Sequence, residues 1–171
     1  MFKLKSKLVT SVPLSLALLG AVSLLSPVVA AQAQAASAFD GLSGKWSGDG
    51  SIVLTNGATE RLRCDAVYAI SGGGQNLDQT LRCASDSYNF DLRIGLEDNA
   101  GVIVGNWNEV TKGIEGGISG QETKGLIRLT VRGQDFLAAV VVKTQGNRQS
   151  VSIRAQSGEL SQVAITLQRA H

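Results

Sequence analysis

The side chains able to do chemistry are few, and their spacing does not suit catalysis. The one histidine, His171, is the last residue of 171, where fraying is expected. A catalytic triad or a histidine metal site would therefore lack a fixed imidazole. Asp49, Glu109 and Glu115 are candidates for a pair of acid and base carboxylates, but they lie in glycine-rich segments with no distinguishing spacing. Asp98-Asn99-Ala100-Gly101 lacks the ligand repeat of a calcium loop and reads as a hairpin turn. Gly48-Asp49-Gly50 and Gly72-Gly73-Gly74 lead into no helix, so neither makes a phosphate cradle. The chain reads as a non-enzyme with no cofactor and no metal site.

The residue chemistry it does supply is a disulfide. The only cysteines are Cys64, in Arg61-Leu62-Arg63-Cys64, and Cys83, in Leu81-Arg82-Cys83-Ala84. Between them lies the turn Ser71-Gly72-Gly73-Gly74. A hairpin folded at Gly73/Gly74 sets Cys64 opposite Cys83, Ala66 opposite Leu81, Tyr68 opposite Gln79 and Ile70 opposite Leu77. Side chains alternate along a strand, so these pairs share one mostly apolar face. The other face sets Asp65 opposite Arg82 and Arg61 opposite Asp86, both of opposite charge. Directly opposed strand residues are close enough to be bridged. Closing a loop of this length contributes about 3 kcal/mol in the chain-entropy model.

The other chemistry on offer is binding. Trp46, Tyr68, Tyr88, Phe90, Trp107 and Phe136 make up nearly all the aromatic content after the leader. In a small barrel such residues plug the core or line a pocket. Tyr68 and Gln79 are the clear inward polar pair on the stapled hairpin. If Trp107 faces inward then Glu109 does too, near a barrel end, where a buried carboxylate needs a partner or a ligand. The candidate ligand-binding set is Trp46, Tyr68, Gln79, Trp107 and Glu109.

Positioning these residues falls to strands. Pro13 and Pro27 are the only prolines, and both precede the folded part. Tyr88, Phe90, Leu92, Ile94 and Leu96 alternate with Asn89, Asp91, Arg93, Gly95 and Glu97, a strict period of two. Ile127, Leu129 and Val131 alternate with Arg128, Thr130 and Arg132. Asn56-Gly57 is a strong hairpin signal, and Gly133-Gln134-Asp135, Gln145-Gly146-Asn147 and Gln156-Ser157-Gly158 punctuate the rest. The pattern predicts an all-β fold, an antiparallel up-and-down barrel of about 8–10 strands, with a two-sheet sandwich as the alternative. The face opposite the aliphatic residues carries Arg61, Arg63, Asp65, Arg93, Arg128 and Arg132, which argues against a membrane-spanning barrel.

The first 38 residues read as a secretory signal peptide and short linker. Lys3, Lys5 and Lys7 form a basic start, Pro13 to Leu25 is mostly apolar, and Ala31-Gln32-Ala33, Ala33-Gln34-Ala35 and Ala36-Ser37-Ala38 are cleavage-type triplets. Residues 39–171 form a single barrel domain. Of 16 basic and 14 acidic side chains, the leader removes three lysines, leaving 13 against 14 and a net charge of −1. Nothing in that balance suggests a nucleic-acid surface. Export and an even cysteine count fit an oxidising compartment, the periplasm or the cell exterior.

Leu42-Ser43-Gly44-Lys45-Trp46, followed by Asp49-Gly50-Ser51, resembles the opening of the calycins, the lipocalin and avidin barrels, in which Gly-x-Trp begins the first strand. Arg169 is similar to the calycin arginine that packs on this tryptophan. The resemblance implies a calycin-like barrel; it does not imply biotin binding. Glu60-Arg61-Leu62-Arg63-Cys64, Cys83-Ala84-Ser85-Asp86-Ser87-Tyr88 and Asn147-Arg148-Gln149-Ser150-Val151 resemble small exported proteins of alphaproteobacteria that carry no assigned activity. The expected function is a periplasmic or secreted binding module for a small apolar or amphipathic envelope molecule. The alternative is a protein-interaction or inhibitor module of the envelope acting through barrel-end loops such as Asp98 to Gly101 or Thr111 to Gly117.

Overall fold

The computed structural model describes residues 37–170; the expected leader, apart from Ser37 and Ala38, and His171 lie outside the described residues. Ten strands follow one another: β1 (Gly44–Leu54), β2 (Thr59–Ser71), β3 (Asn76–Ala84), β4 (Asn89–Asn99), β5 (Val102–Glu109), β6 (Ile114–Thr123), β7 (Leu126–Gly133), β8 (Leu137–Gln145), β9 (Arg148–Ala155) and β10 (Leu160–Arg169). Each pairs antiparallel with its neighbours in sequence, and β1 pairs with β10 to close a barrel. The ladder from Trp46↔Arg169 to Leu54↔Leu160 decides between the two expected architectures, because a sandwich would leave that edge open. No helix among the described residues is long and apolar enough to cross a membrane.

The stapled hairpin has the register its sequence implies. Cys64 pairs with Cys83, Ala66 with Leu81, Tyr68 with Gln79 and Ile70 with Leu77. A disulfide joins Cys64 to Cys83, whose Cα atoms are 4.1 Å apart. The charge pairing on the outer face differs from expectation. The ladder ends at Arg63↔Ala84, and the chain turns away at Ser85, so Asp86 never faces Arg61. There Glu60 instead accepts hydrogen bonds from the Ser85 hydroxyl and the Ser87 amide. Asp65 does stand opposite Arg82, but Arg82 turns to the other neighbouring strand and pairs with Asp91 at 3.0 Å. A central strand offers each outer side chain two flanks, and sequence pairing within one hairpin sees only one of them.

The two barrel ends differ. At one end the turns are short: Ala100-Gly101 and Lys124-Gly125 each join their strands with both residues at positive φ, the two-residue geometry that suits the strand twist. This end is closed by the segment before β1. Phe39 and Leu42 are buried in it, and the Trp46 indole N–H donates to the Leu42 carbonyl at 2.8 Å. Asp98, itself buried, accepts the Ala38 amide at 2.9 Å and the Gly101 amide at 2.7 Å, tying the plug to the β4–β5 turn. The Ser37 hydroxyl also donates to the Gly74 carbonyl. The Arg169 guanidinium lies 4.8 Å from the Trp46 ring and donates to the Ser43 carbonyl, the packing that the calycin resemblance implies. At the other end the connections 55–58, 85–88, 110–113, 134–136 and 156–159 form an open rim.

Strand tilt links the two ends. The cross-strand row Gly44, Tyr68, Gln79, Ile94, Trp107, Gly116, Gly133 starts at the first residue of β1, at the plugged end, and finishes at the last residue of β7, at the rim. Residues that are neighbours across strands therefore climb from floor to mouth. On β1, β2 and β10, Trp46, Ile52, Leu62, Ala66 and Leu167 are almost fully covered. On β4 and β7–β9, inward side chains such as Phe90, Leu92, Val140 and Val151 are only half-buried.

Candidate functional site

Those half-buried side chains face a cavity of about 730 Å³ inside the barrel. That volume is within the range that holds a cofactor or a drug-sized ligand. The walls are apolar, with Leu62, Leu81, Leu92, Ile94, Ile118 and Val140 among them. Polar groups gather at its two extremes.

At the floor, above the plug, is a chain of neutral hydrogen bonds. Tyr68 stands three residues before the end of β2, and its hydroxyl donates to Gln149 Oε1 at 2.6 Å. Gln79 Nε2 donates to the same hydroxyl at 3.1 Å. Gln149 is fully buried and passes its own amide hydrogen to Thr144 Oγ1 at 3.1 Å. Burial pushes the Tyr68 hydroxyl pKa well above its ordinary value, and the bond to Gln149 only partly counters this, so the phenol stays neutral. Gln79 is one of the lining residues and is only partly buried. One of its amide hydrogens goes to Tyr68, and its carbonyl oxygen is not among the sealed, unpaired polar atoms of the barrel.

At the mouth, Trp107 packs edge-on against Phe136, with ring centroids 5.9 Å apart, and donates its indole N–H to the Arg132 carbonyl at 3.0 Å. Gly116 of β6 and Gly133 of β7 are explained here in part. A Cβ at Gly116 would come within 2.7 Å of the indole nitrogen, and one at Gly133 on the neighbouring strand within 3.0 Å of the ring. Tyr88 stacks on Phe90 with centroids 6.1 Å apart, and Lys112 sits over the Phe90 ring. Lys112 is the one cation among the lining residues; Glu109, Glu115, Asp135 and Glu159 are the carboxylates, all toward the rim.

Glu109 does face inward beside Trp107 and is buried, 2% exposed, as the alternation requires. Its carboxylate accepts hydrogen bonds from the Asp91 amide at 3.0 Å, the Lys112 amide at 2.6 Å and the Thr111 hydroxyl. Burial alone would raise its pKa; the hydrogen bonds outweigh it and hold the carboxyl below its ordinary value. Glu109 is thus spent on shaping the β5–β6 turn.

The structure brings Tyr68, Gln79, Trp107 and Glu109 to one cavity but separates them, two at the floor and two at the mouth. Trp46 does not line the cavity; it is tied to the Leu42 carbonyl on the plugged side and packs edge-on against Tyr68, with ring centroids 6.2 Å apart. Sequence reasoning missed Gln149. Its signal was available, since Gln149 shares parity with the inward Val151 and Ile153 and is a polar residue on an apolar face. The loop Asp98 to Gly101, an interaction candidate by sequence, is occupied in holding the plug. A second cleft of about 460 Å³ lies outside, between the plug and the β6–β7 and β8–β9 turns.

No family model and no curated protein matches the chain. Solved structures share the fold. Rv2717c from M. tuberculosis is similar over 76% of this chain and 93% of its own, at 16% identity and a TM-score of 0.62. The S-type phycobiliprotein lyase from Guillardia theta is similar over 75% of this chain and 88% of its own, at 13% identity and a TM-score of 0.52. At these identities the likeness is one of barrel architecture.

Proposed function

We propose that the protein is an exported binding module that holds a small apolar or amphipathic molecule inside its barrel, in the periplasm or outside the cell, rather than an enzyme. The observation that carries this reading is the cavity of about 730 Å³, apolar-walled, plugged at one end by Phe39 and Leu42 and open at the other. A packed interior would favour the alternative, a partner bound by the end loops. The disulfide supports export, because such bonds persist in oxidising compartments. The likeness to small exported alphaproteobacterial proteins belongs to the same reading. Trp46, Tyr68, Gln79, Trp107 and Glu109 then divide by task. Tyr68 and Gln79 touch the ligand, Trp107 lines its path, and Trp46 and Glu109 hold the barrel ends in shape.

The test is native mass spectrometry of protein purified from its own envelope fraction, beside a titration of tryptophan emission with envelope lipid extract. A bound mass lost on denaturation, and an emission change from Trp107, are expected. Bare protein together with unchanged emission would sink the proposal.

A further inference from the structure

We infer that the ligand carries an uncharged hydrogen-bonding group, a hydroxyl, carbonyl or amide, on its leading end, and that this group seats on the Gln79 amide at the cavity floor. The inference rests on the binding function proposed above and specifies its ligand. Three observations carry it. First, every charged residue lining the cavity is toward the rim: Lys112 in the β5–β6 turn, Glu109 at the end of β5, Glu115 at the start of β6, and Asp135 and Glu159 in the next two connections. Second, the floor is polar but neutral, a relay from Thr144 through Gln149 and Tyr68 to Gln79. Third, of the relay's two amides Gln79 is the less buried: it is part-buried where Gln149 is fully buried. The Tyr68 hydroxyl already donates once and accepts once, and Gln149 is fully buried with both functional atoms engaged. Gln79 uses one amide hydrogen and lines the cavity with the remainder of its amide. A primary amide has a second hydrogen and a carbonyl oxygen to offer, so it can meet a donor, an acceptor or both.

Charge discriminates between ligand classes. A carboxylate pushed to the floor would shed its water and find no cation there, a strongly unfavourable exchange. An ammonium would find no carboxylate. A purely apolar end would leave the Gln79 amide facing hydrocarbon. A hydroxyl or amide replaces the water it loses with the Gln79 hydrogen bond. A charged amphiphile could enter only tail first, with its head among the rim residues.

Matched probes test this directly. Decanol, decanoate, decylammonium and decane are titrated into the oxidised protein at neutral pH, with tryptophan emission and calorimetry as readouts. Decanol should bind about tenfold or more tightly than decanoate, and lowering the pH until decanoic acid is protonated should close that gap. Gln79→Leu should erase decanol's advantage over decane. Gln79→Glu should move the preference to decylammonium, a gain that a damaged fold cannot imitate. Decanoate binding as well as decanol, or a decanol preference unchanged in Gln79→Leu, would overturn the floor assignment and leave the binding proposal standing. Failure of all four to bind would overturn both.

Discussion

Tyr68, Gln79 and Gln149 show how one unseen partner changes a prediction. Read from the hairpin alone, Tyr68 and Gln79 form a closed pair, and replacing both with apolar residues removes donor and acceptor together. The barrel adds Gln149, which is fully buried and receives the Tyr68 hydroxyl at 2.6 Å. Tyr68→Phe therefore leaves the fully buried Gln149 without the hydroxyl donor to its Oε1 and should cost about 1–3 kcal/mol. Tyr68→Phe with Gln79→Leu should remain destabilised, whereas adding Gln149→Leu should recover much of the loss, since the connected polar atoms then leave together. Thermal melts of the three variants check this; a double variant as stable as the parent would show that Gln149 finds another donor. Glu109 gives a second prediction, with a definite sign. Its folded-state carboxyl lies below the ordinary 4.5. The stability it adds is therefore fully present above 4.5 and is lost as pH falls through the folded value. Glu109→Gln, which sets an amide group against at least one of the donors Asp91 N–H, Lys112 N–H and the Thr111 hydroxyl, should lower the melting temperature most near neutrality. The gap to the parent should shrink in acid, and a gap constant from neutral to acid pH would exclude the carboxylate as its origin.

Strands and hairpins were the legible level, and the reason is local. A period of two on β4 and β7, and turn residues such as Asn56-Gly57 and Ala100-Gly101, depend only on neighbours in sequence. The stapled hairpin adds redundancy, because the apolar face, the glycine turn and the cysteines all specify one register. What failed there was the outer charge pairing, since Arg82 had a competing carboxylate on β4 that hairpin reasoning does not include. The disulfide can be weighed at this scale. Cys64 and Cys83 are separated by 19 positions in sequence and both are buried. Replacing both by alanine keeps the side chains apolar and frees the loop, which should cost about 3 kcal/mol in the chain-entropy model. The β2–β3 ladder has hydrogen bonds beyond the staple, so the far-ultraviolet spectrum should be preserved. Chemical denaturation against the oxidised parent reads the difference. A midpoint equal to the parent's would mean that the neighbouring strands already restrict this loop in the unfolded chain.

For the whole molecule, closure and the distinction between its ends are properties of ten strands at once, and no short window contains them. Tilt carries a single cross-strand row from the floor at Tyr68 to the mouth at Trp107 and Gly133, so residues grouped by pairing in the sequence separate along the barrel axis. Trp46, on the first strand, packs edge-on against Tyr68 and donates to the plug at the Leu42 carbonyl, and it does not itself line the cavity. The plug itself makes a prediction about processing. Three cleavage-type triplets precede the barrel, and by sequence they are equivalent: Ala31-Gln32-Ala33, Ala33-Gln34-Ala35 and Ala36-Ser37-Ala38. They are not equivalent to the fold. Cutting after Ala38 would discard the Ala38 amide that binds Asp98 and the Ser37 hydroxyl that binds the Gly74 carbonyl. Asp98 is 5% exposed and would keep a buried charge with fewer donors. A new ammonium on Phe39, which is fully buried, would also have to be accommodated beside an apolar ring. Cutting after Ala33 or Ala35 preserves the whole plug. Intact mass of the exported protein should therefore show a start at Gln34 or Ala36, and a deficit of two hydrogens from the disulfide. A start at Phe39 in a protein with an unchanged melt would show that the contacts of Ser37 and Ala38 contribute nothing to closing the barrel.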